Sequence, residues 1–211
     1  MEIKLAIFDF SGTLAFSNQD EQSFLREWDN LGFGRNNPLN PASFYRSFWN
    51  LLSSAKSWKE IAKKLAPKEE GKTEDKAIQR LEMLLKECFG FKLYDDARFA
   101  FDLPIQKAIL TAGSRFLLEP CNIPKNIEIF TPFETSFLKP DPKAFLFVLK
   151  QLKISPKEAA MIGDETERDL IPALNLGMKA FLIEREDKNI GILPDKILKL
   201  SSLKELGNYL L

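Results

Sequence analysis

Residues 9–14 read DFSGTL and directly follow the apolar run IKLAIF. An apolar run of strand length that ends in an acidic residue predicts a buried parallel strand with a carboxylate at its C-terminal end. Asp9 is therefore the first candidate for a reacting group, although an acid that merely closes a strand at a turn explains this stretch alone equally well. Gly12 allows a tight turn, and Thr13 offers a hydroxyl and an N–H group to an anion.

A second acidic cluster repeats this design near the other end of the sequence. The apolar residues 159–162 are followed by Gly163 and Asp164, and a helical pattern then carries Asp169. We expect Asp164 at a strand end and Asp169 on the first turns of a helix, so that both can face one crevice. Two carboxylates placed in this way suit Mg²⁺, which prefers oxygen ligands.

Two further motifs lie between the acidic clusters. KAILTAG places Thr111 at the end of a predicted strand, where its hydroxyl can hold a phosphate oxygen. Gly113 and Ser114, which follow shortly after Thr111, could add backbone N–H groups to such a phosphate site. LKPDP carries Lys139, which can neutralise charge on a transferring phosphoryl group. Lys139 directly precedes a predicted helix, where a surface lysine would gain little from the helix dipole.

These residues, taken in order, resemble the four motifs of the haloacid-dehalogenase superfamily, whose members are mostly phosphotransferases. The motifs occur in family order with family-like spacing and bracket nearly the whole chain: Asp9 with Gly12 and Thr13, then Thr111, then Lys139 with Pro140, and finally Gly163, Asp164 and Asp169. An unrelated doubly wound fold, such as a receiver or flavodoxin-like domain, is the alternative.

The resemblance implies a role for each matched residue. Asp9 is implied as the nucleophile, with Thr111 and Lys139 as further catalytic residues. The implied phosphate-binding residues are Thr13, Thr111, Ala112, Gly113 and Lys139. An Mg²⁺ ion is implied between Asp9, the backbone carbonyl of Ser11, Asp164 and Asp169, the last of these directly or through water.

Ser11 departs from the phosphatase pattern. The hydrolytic phosphatases that this chain resembles carry a second Asp there as general acid and base, whereas dehalogenases usually carry Tyr, phosphonate-cleaving relatives Ala and P-type ATPases Thr. The resemblance therefore implies a phosphatase or phosphotransferase with weakened acid–base catalysis. A 2-haloacid dehalogenase-type hydrolase and a catalytically inactive binding protein of the same fold are the alternatives.

Composition excludes several classes of function. The chain has 211 residues, of which 45% are apolar, so it can bury one good core and add a smaller one. Lys and Arg equal Asp and Glu at 30 each, which does not fit a nucleic-acid binder. The absence of histidine excludes a Ser-His-Asp triad and a histidine zinc site. Cys88 and Cys121 show no metal-ligand spacing and are expected to be buried or free thiols.

Alternating strand and helix patterns predict an α/β fold with a doubly wound parallel sheet. We assign residues 1–14 and 99–211 to this core. The interval 15–98 is helical in pattern and matches the small all-helical cap domain that many members of the superfamily carry. No signal peptide or membrane span is evident, so we expect a cytoplasmic protein that acts on a small, phosphorylated molecule.

The aromatic residues of the predicted cap fall on helical stripes, which favours core packing over an apolar substrate pocket. The loop after Gly32 offers better candidates for substrate contact, namely Arg35, Asn36 and Asn37. These three residues could equally form a solvated turn.

Overall fold

The computed structural model describes residues 2–17, 21–30, 48, 50–66, 75–185 and 193–210. The chain divides into two compact units. An α/β unit comprises Met1–Phe16, Lys92–Ala112 and Cys121–Leu211, and a helical unit comprises Ser17–Phe91 and Gly113–Pro120. Within the described ranges, no helix has the length and apolar character that a membrane span requires.

Eight strands of the described residues form two sheets. In chain order they are β1 (Leu5–Phe8), β2 (Ala15–Ser17), β3 (Phe91–Leu93), β4 (Gln106–Leu110), β5 (Glu128–Phe130), β6 (Ala159–Gly163), β7 (Lys179–Ile183) and β8 (Ile197–Leu200). The larger sheet has six strands in the order β5-β4-β1-β6-β7-β8, and all its neighbouring pairs are parallel. β2 and β3 form a second, two-stranded sheet.

The two central strands are apolar throughout because both faces of a doubly wound sheet are covered. Every residue of β1 and β6 is buried. After β1 the chain adds β4 and β5 on one side of it, and then returns to add β6, β7 and β8 on the other side. The strand order therefore reverses between β1 and β6, which is the place where such sheets bind ligands.

The described helices of the helical unit are amphipathic, and α1, Phe48 and α3 meet through aromatic side chains. They are α1 (Glu21–Asn30), α2 (Trp58–Leu65) and α3 (Asp75–Phe89), with residues 50–54 also helical. The rings of Phe24 and Phe48 lie 5.3 and 4.5 Å from the ring of Phe89, and Phe24 lies 5.8 Å from Trp28. All four of these side chains are buried, as core packing predicts.

Five helices in the described part of the chain belong to the α/β unit: α4 (Ala97–Phe101), α5 (Pro132–Thr135), α6 (Pro142–Leu152), α7 (Ile171–Asn175) and α8 (Gly207–Leu210). The longest, α6, buries Ala144, Phe145, Val148 and Leu149 in the cluster that covers β1, β4, β6 and β7. The helix ends at Lys153, whose left-handed backbone conformation (φ of 57°) stops the helical path before β6.

The structure confirms the predicted α/β fold with a parallel sheet and a helical region inserted after β1. It corrects the helix expected after Asp164, which begins as a π-helical turn over Thr166–Leu170 before α7. The N–H of Ile171 donates a hydrogen bond to the carbonyl of Thr166, five residues earlier, as in a π-helix. Pro172 has no N–H and so cannot donate the next α-helical hydrogen bond. The domain limits 15–98 remain a prediction, and Arg35, Asn36 and Asn37 lie outside the described residues.

Candidate active site

The strand register gathers three chain segments at one edge of the six-stranded sheet. Phe8, the last residue of β1, pairs with Ile109 of β4 and with Ile162 of β6. Asp9 follows at once, and its N–H donates to the carbonyl of Ile162 at 2.8 Å. Asp9 is thus level with the last residues of β4 and β6, so the residues that follow those strands share its edge.

Gly12 allows the turn after β1 to pass close to Asp164. Its φ is 83°, in the left-handed region that favours glycine. A Cβ at this position would lie 2.3 Å from Oδ2 of Asp164. Any other residue would therefore strain the backbone and displace a carboxylate of the site.

The hydrogen bonds within this turn do not use the carbonyl of Ser11. The N–H of Gly12 donates to Ala15 at 2.7 Å, and the N–H groups of Leu14 and Ala15 donate to Phe10 at 3.0 and 2.9 Å. Among the described residues, no backbone N–H donates to the carbonyl of Ser11. That oxygen can therefore bind a cation, which is the role that the family resemblance implies for it.

Lys139 joins the two acidic clusters. Its Nζ donates to Oδ1 of Asp9 and, at 2.6 Å, to Oδ1 of Asp169. All three residues are buried. Asp169 is held in turn by the N–H of Glu165, which donates to its Oδ2 at 3.3 Å.

The site carries more negative than positive charge. Burial raises the pKa of the Asp9 carboxyl above its usual range; Lys139 opposes this shift, and the neighbouring carboxylates of Asp169 and Asp164 add to it. Burial alone would lower the pKa of Lys139, but the carboxylates of Asp9 and Asp169 outweigh it and hold that pKa above its usual range. Lys139 is therefore a permanent cation among three acids.

The three acids can hold a metal ion together. Asp9, Asp164 and Asp169 each offer a carboxylate oxygen, and these oxygens all lie within 4.8 Å of one another. When all three are ionised, Lys139 leaves two negative charges unbalanced. A divalent cation with oxygen ligands matches both the donor set and the charge. Thr13 is also at the site, since its hydroxyl donates to Oδ1 of Asp164 over a long 3.4 Å.

The remaining predicted phosphate ligands, Thr111, Ala112 and Gly113, directly follow β4. Thr111 follows β4 and is buried, and its N–H donates to the carbonyl of Phe130 at 3.0 Å. Gly113 and Ser114 belong to the helical unit, where the N–H of Ser114 donates to Leu52 at 3.0 Å and is therefore not available to a phosphate. The phosphate-binding roles of Thr111, Ala112 and Gly113 remain predictions.

One residue at this edge of the sheet was not predicted from the sequence. Arg185 donates from its guanidinium to the backbone carbonyl of Thr13, which lies 172 positions away in the chain. No motif surrounds Arg185, and only the register of β7 beside β6 places it near the turn after β1.

Residues 3–177 match the family model described as haloacid dehalogenase-like hydrolase. Among curated proteins, a glyceraldehyde 3-phosphate phosphatase from Methanothermobacter thermautotrophicus is 32% identical over 59 residues. That stretch covers 28% of this chain and 26% of the relative, so the match spans about a quarter of each protein.

Solved structures show the same fold at low identity. A HAD phosphatase from Thermococcus onnurineus matches with a TM-score of 0.67 and 22% identity, covering 99% of this chain and 97% of its own. A 2-haloacid dehalogenase from Pseudomonas syringae pv. Tomato DC3000 has a TM-score of 0.66 and 20% identity, with coverages of 98% and 97%. The HAD-hydrolase YfnB from Bacillus subtilis, bound to magnesium, has a TM-score of 0.61 and 18% identity, with coverages of 100% and 99%.

Proposed function

The chain belongs to the haloacid dehalogenase-like hydrolases, and on that premise we propose that it is an Mg²⁺-dependent phosphatase or phosphotransferase that works through an aspartyl phosphate at Asp9. One observation carries the proposal, namely the convergence of Asp9, Lys139, Asp164 and Asp169 at one edge of the sheet. Phosphoryl transfer requires a positioned nucleophile and a concentration of positive charge around the three phosphoryl oxygens, and this cluster can provide both.

Among the described residues, no group donates a hydrogen bond to Oδ2 of Asp9. Lys139 donates to its Oδ1, so Oδ2 can form the new bond to phosphorus while the bond from phosphorus to the leaving oxygen breaks. Water then cleaves the acyl phosphate and restores the carboxylate. Lys139, which stays charged beside this carboxylate, stabilises the negative charge that spreads over the phosphoryl oxygens.

The acids suit a cation that supplies further charge stabilisation when it is bound. Asp9, Asp164 and the Ser11 carbonyl are the proposed direct ligands. Asp169 has a second role, since it shares Lys139 with Asp9 at 2.6 Å and so fixes the direction of the ammonium group. The magnesium bound to the Bacillus subtilis relative supports this choice of metal.

Ser11 limits the substrates that such a site can cleave quickly. A positioned acid or base contributes about 10²–10⁴ in rate, and a serine hydroxyl does not replace one. Esters with poor leaving groups should react slowly, whereas aryl and acyl phosphates need little help from an acid. We therefore propose activated phosphates of small molecules as the substrates that the site turns over best.

A trapped adduct tests the proposal most directly. Incubation with a small acyl phosphate should add one phosphoryl group per chain, and incubation with beryllofluoride and Mg²⁺ should add one beryllofluoride. Peptide mapping by mass spectrometry should place the phosphoryl group on Asp9. Asp9→Asn is the control and should form neither adduct. An intact wild-type protein that forms no adduct would instead support the inactive binding protein.

Carbon–halogen cleavage is the second candidate, because it needs a nucleophilic Asp but no acid for the departing halide. Ser11 and the fold shared with the Pseudomonas syringae dehalogenase are compatible with it. The retention of Asp164 and Asp169 favours phosphoryl transfer, since displacing a halide gives a metal site no role. Turnover of a 2-haloacid in excess chelator would reverse this order.

A further inference from the structure

Arg185 reaches the turn after β1 from the neighbourhood of β7. Its Nη2 donates to the backbone carbonyl of Thr13, and its guanidinium lies 2.9 Å from the carboxylate of Asp96. The guanidinium carbon also lies 4.0 Å from the centre of the Tyr94 ring. The side chain is largely buried, with 11% exposed.

Arg185 and Tyr94, whose side chains stack on each other, both donate hydrogen bonds to backbone carbonyls of the turn. Arg185 binds the carbonyl of Thr13, and the N–H of Tyr94 donates to the carbonyl of Leu14 at 3.0 Å. Thr13 and Leu14 have no exposed surface, so water cannot replace these donors. The turn is therefore fixed from outside as well as by its own hydrogen bonds.

Asp96 orients Arg185. It accepts hydrogen bonds from the hydroxyl of Ser202 at 2.8 Å and from the N–H of Leu203 at 2.9 Å, in addition to the guanidinium. Burial alone would raise the pKa of Asp96, but the hydrogen bonds from Arg185, Leu203 and Ser202 outweigh it and hold that pKa below its usual range. Asp96 is thus a fixed anion that binds Nη1 of the Arg185 guanidinium, while Nη2 of the same group donates to the carbonyl of Thr13.

We propose that Arg185 is a positioning residue for the reaction at Asp9: it acts through the Thr13 carbonyl to hold the turn of residues 10–15 in its active shape. The inference rests on the proposed function. The same turn carries the unused Ser11 carbonyl, the Gly12 backbone beside Asp164 and the Thr13 hydroxyl. Movement of this turn would displace all three from Asp9, and a displacement of about 1 Å can cost about 10² in rate.

The competing explanation is purely structural. Arg185 and Asp96 could simply tie the end of β7 to the segment before α4, in which case their loss would destabilise the whole α/β unit. The two roles differ in where the backbone loosens. A positioning role loosens the turn first, whereas a structural role loosens the turn and the strands of the sheet together.

Arg185→Met separates the two roles by amide hydrogen exchange, followed by NMR in the full-length protein. We expect the amides of Gly12, Leu14 and Ala15 to exchange at least about tenfold faster, with those of Ile7 and Phe8 in β1 unchanged. Arg98→Met is the matched control, because Arg98 is exposed two residues from Asp96, and it should change neither set.

Turnover of p-nitrophenyl phosphate gives the second readout. Arg185→Met should lower kcat about 10²-fold with little change in KM, because the turn positions reacting groups more than it binds substrate. If the wild-type protein neither turns over p-nitrophenyl phosphate nor forms an adduct on Asp9, the proposed function fails. The exchange data then still decide whether Arg185 holds the turn.

Arg185→Lys provides a milder variant that keeps the charge. A single lysine ammonium cannot bind both Asp96 and the Thr13 carbonyl as the two nitrogens of the guanidinium do. The turn amides should therefore again exchange faster than in the wild-type protein, but by a smaller factor than in Arg185→Met. Turn amides that exchange at the wild-type rate in both variants would overturn the proposal. So would an equal acceleration of the turn and of β1, including the general loss of protection of a variant that fails to fold.

Discussion

Residue 11 is a serine where the phosphatases that resemble this chain carry a carboxylic acid. A serine hydroxyl gives up its proton far less readily than a carboxyl group near neutral pH. Two other acids of the site are already engaged, since Asp9 and Asp169 share Lys139. The difference therefore bears on proton transfer to the leaving group and from water, and leaves the nucleophile and the charge around it in place.

Ser11→Asp should raise turnover of alkyl phosphates by at least about tenfold, because it restores an acid that can protonate a poor leaving group. Aryl phosphates should gain much less, so the dependence of rate on leaving group should become flatter. The measurement is kcat/KM over a series of alkyl and aryl phosphates. Ser54→Asp, at an exposed serine of the helical unit, is the control. No gain from Ser11→Asp would mean that another group supplies the proton or that the reaction is not hydrolysis.

Lys139→Met should lower turnover by about 10²–10³-fold, because it removes a positioned cation from the charge that develops on phosphorus. It should also destabilise the metal-free protein by about 3–5 kcal/mol, since Asp9 and Asp169 lose their buried partner. Initial rates and urea unfolding in chelator measure the two effects.

Lys143→Met is the matched control for Lys139→Met. Lys143 is exposed on the first turn of α6 and lies over the ring of Phe137 at 5.2 Å. It should leave both quantities nearly unchanged. Equal losses in the two variants would show that Lys139 contributes no more than a surface charge.

At the level of elements, the sequence predicted most of what positions the site. Apolar runs that end in Asp9, Thr111 and Asp164 marked β1, β4 and β6, because a strand buried on both faces needs an uninterrupted apolar run. The sequence could not predict that Arg185 meets Thr13, since that contact depends on which strand lies beside β6. The π-helical turn before α7 was not predicted, because the helical periodicity of residues 166–177 does not distinguish a π-helical turn from an α-helical one.

Gly163 couples β6 to the cluster of acids. A Cβ there would lie 2.4 Å from Oδ2 and 2.6 Å from Cβ of Asp169, so Gly163→Ala must push the base of that side chain away. We expect a loss of at least about tenfold in turnover, since Asp169 can no longer aim Lys139. Overpacking should add a stability loss of about 1–3 kcal/mol.

Gly177→Ala separates the loss of turnover at Gly163 from the loss of stability. Gly177 has a φ of 89°, and apart from Gly177 and its two chain neighbours no described atom lies within 4 Å of the point that a Cβ would occupy. Alanine there therefore adds backbone strain without a clash. Gly177→Ala should lower the free energy of unfolding by about 1–3 kcal/mol, which is the usual cost of such backbone strain, and should leave turnover unchanged. Rates and urea unfolding measured on both variants make the comparison. An equal loss of turnover in the two would assign the effect at Gly163 to stability alone.

Over the whole molecule, positive and negative charges balance at 30 each. A long-range field therefore does not draw cations to the protein, and any affinity for Mg²⁺ must come from the local excess of carboxylates around Asp9. Because Asp9 and Asp169 are buried, added salt should screen this attraction less than it screens surface charges. The prediction is an affinity for Mg²⁺ that changes little with added KCl, measured by isothermal titration calorimetry. A steep fall with salt would place the bound ion on the surface.

Mg²⁺ should also stabilise the folded chain, because the three acids meet only when β1, β6 and the turn before α7 are assembled. At about 100 times Kd, a ligand that binds only the folded state adds about 2.7 kcal/mol, or about 5–10 °C in Tm for a chain of this size. Thermal unfolding followed by circular dichroism, with Mg²⁺ and then with excess chelator, measures the shift. Asp164→Asn should lose most of it while keeping the partners of Lys139. A Tm shift of equal size in that variant, or no Tm shift in the wild-type protein, would rule out the proposed metal site. Activity that persists in chelator would then favour dehalogenation.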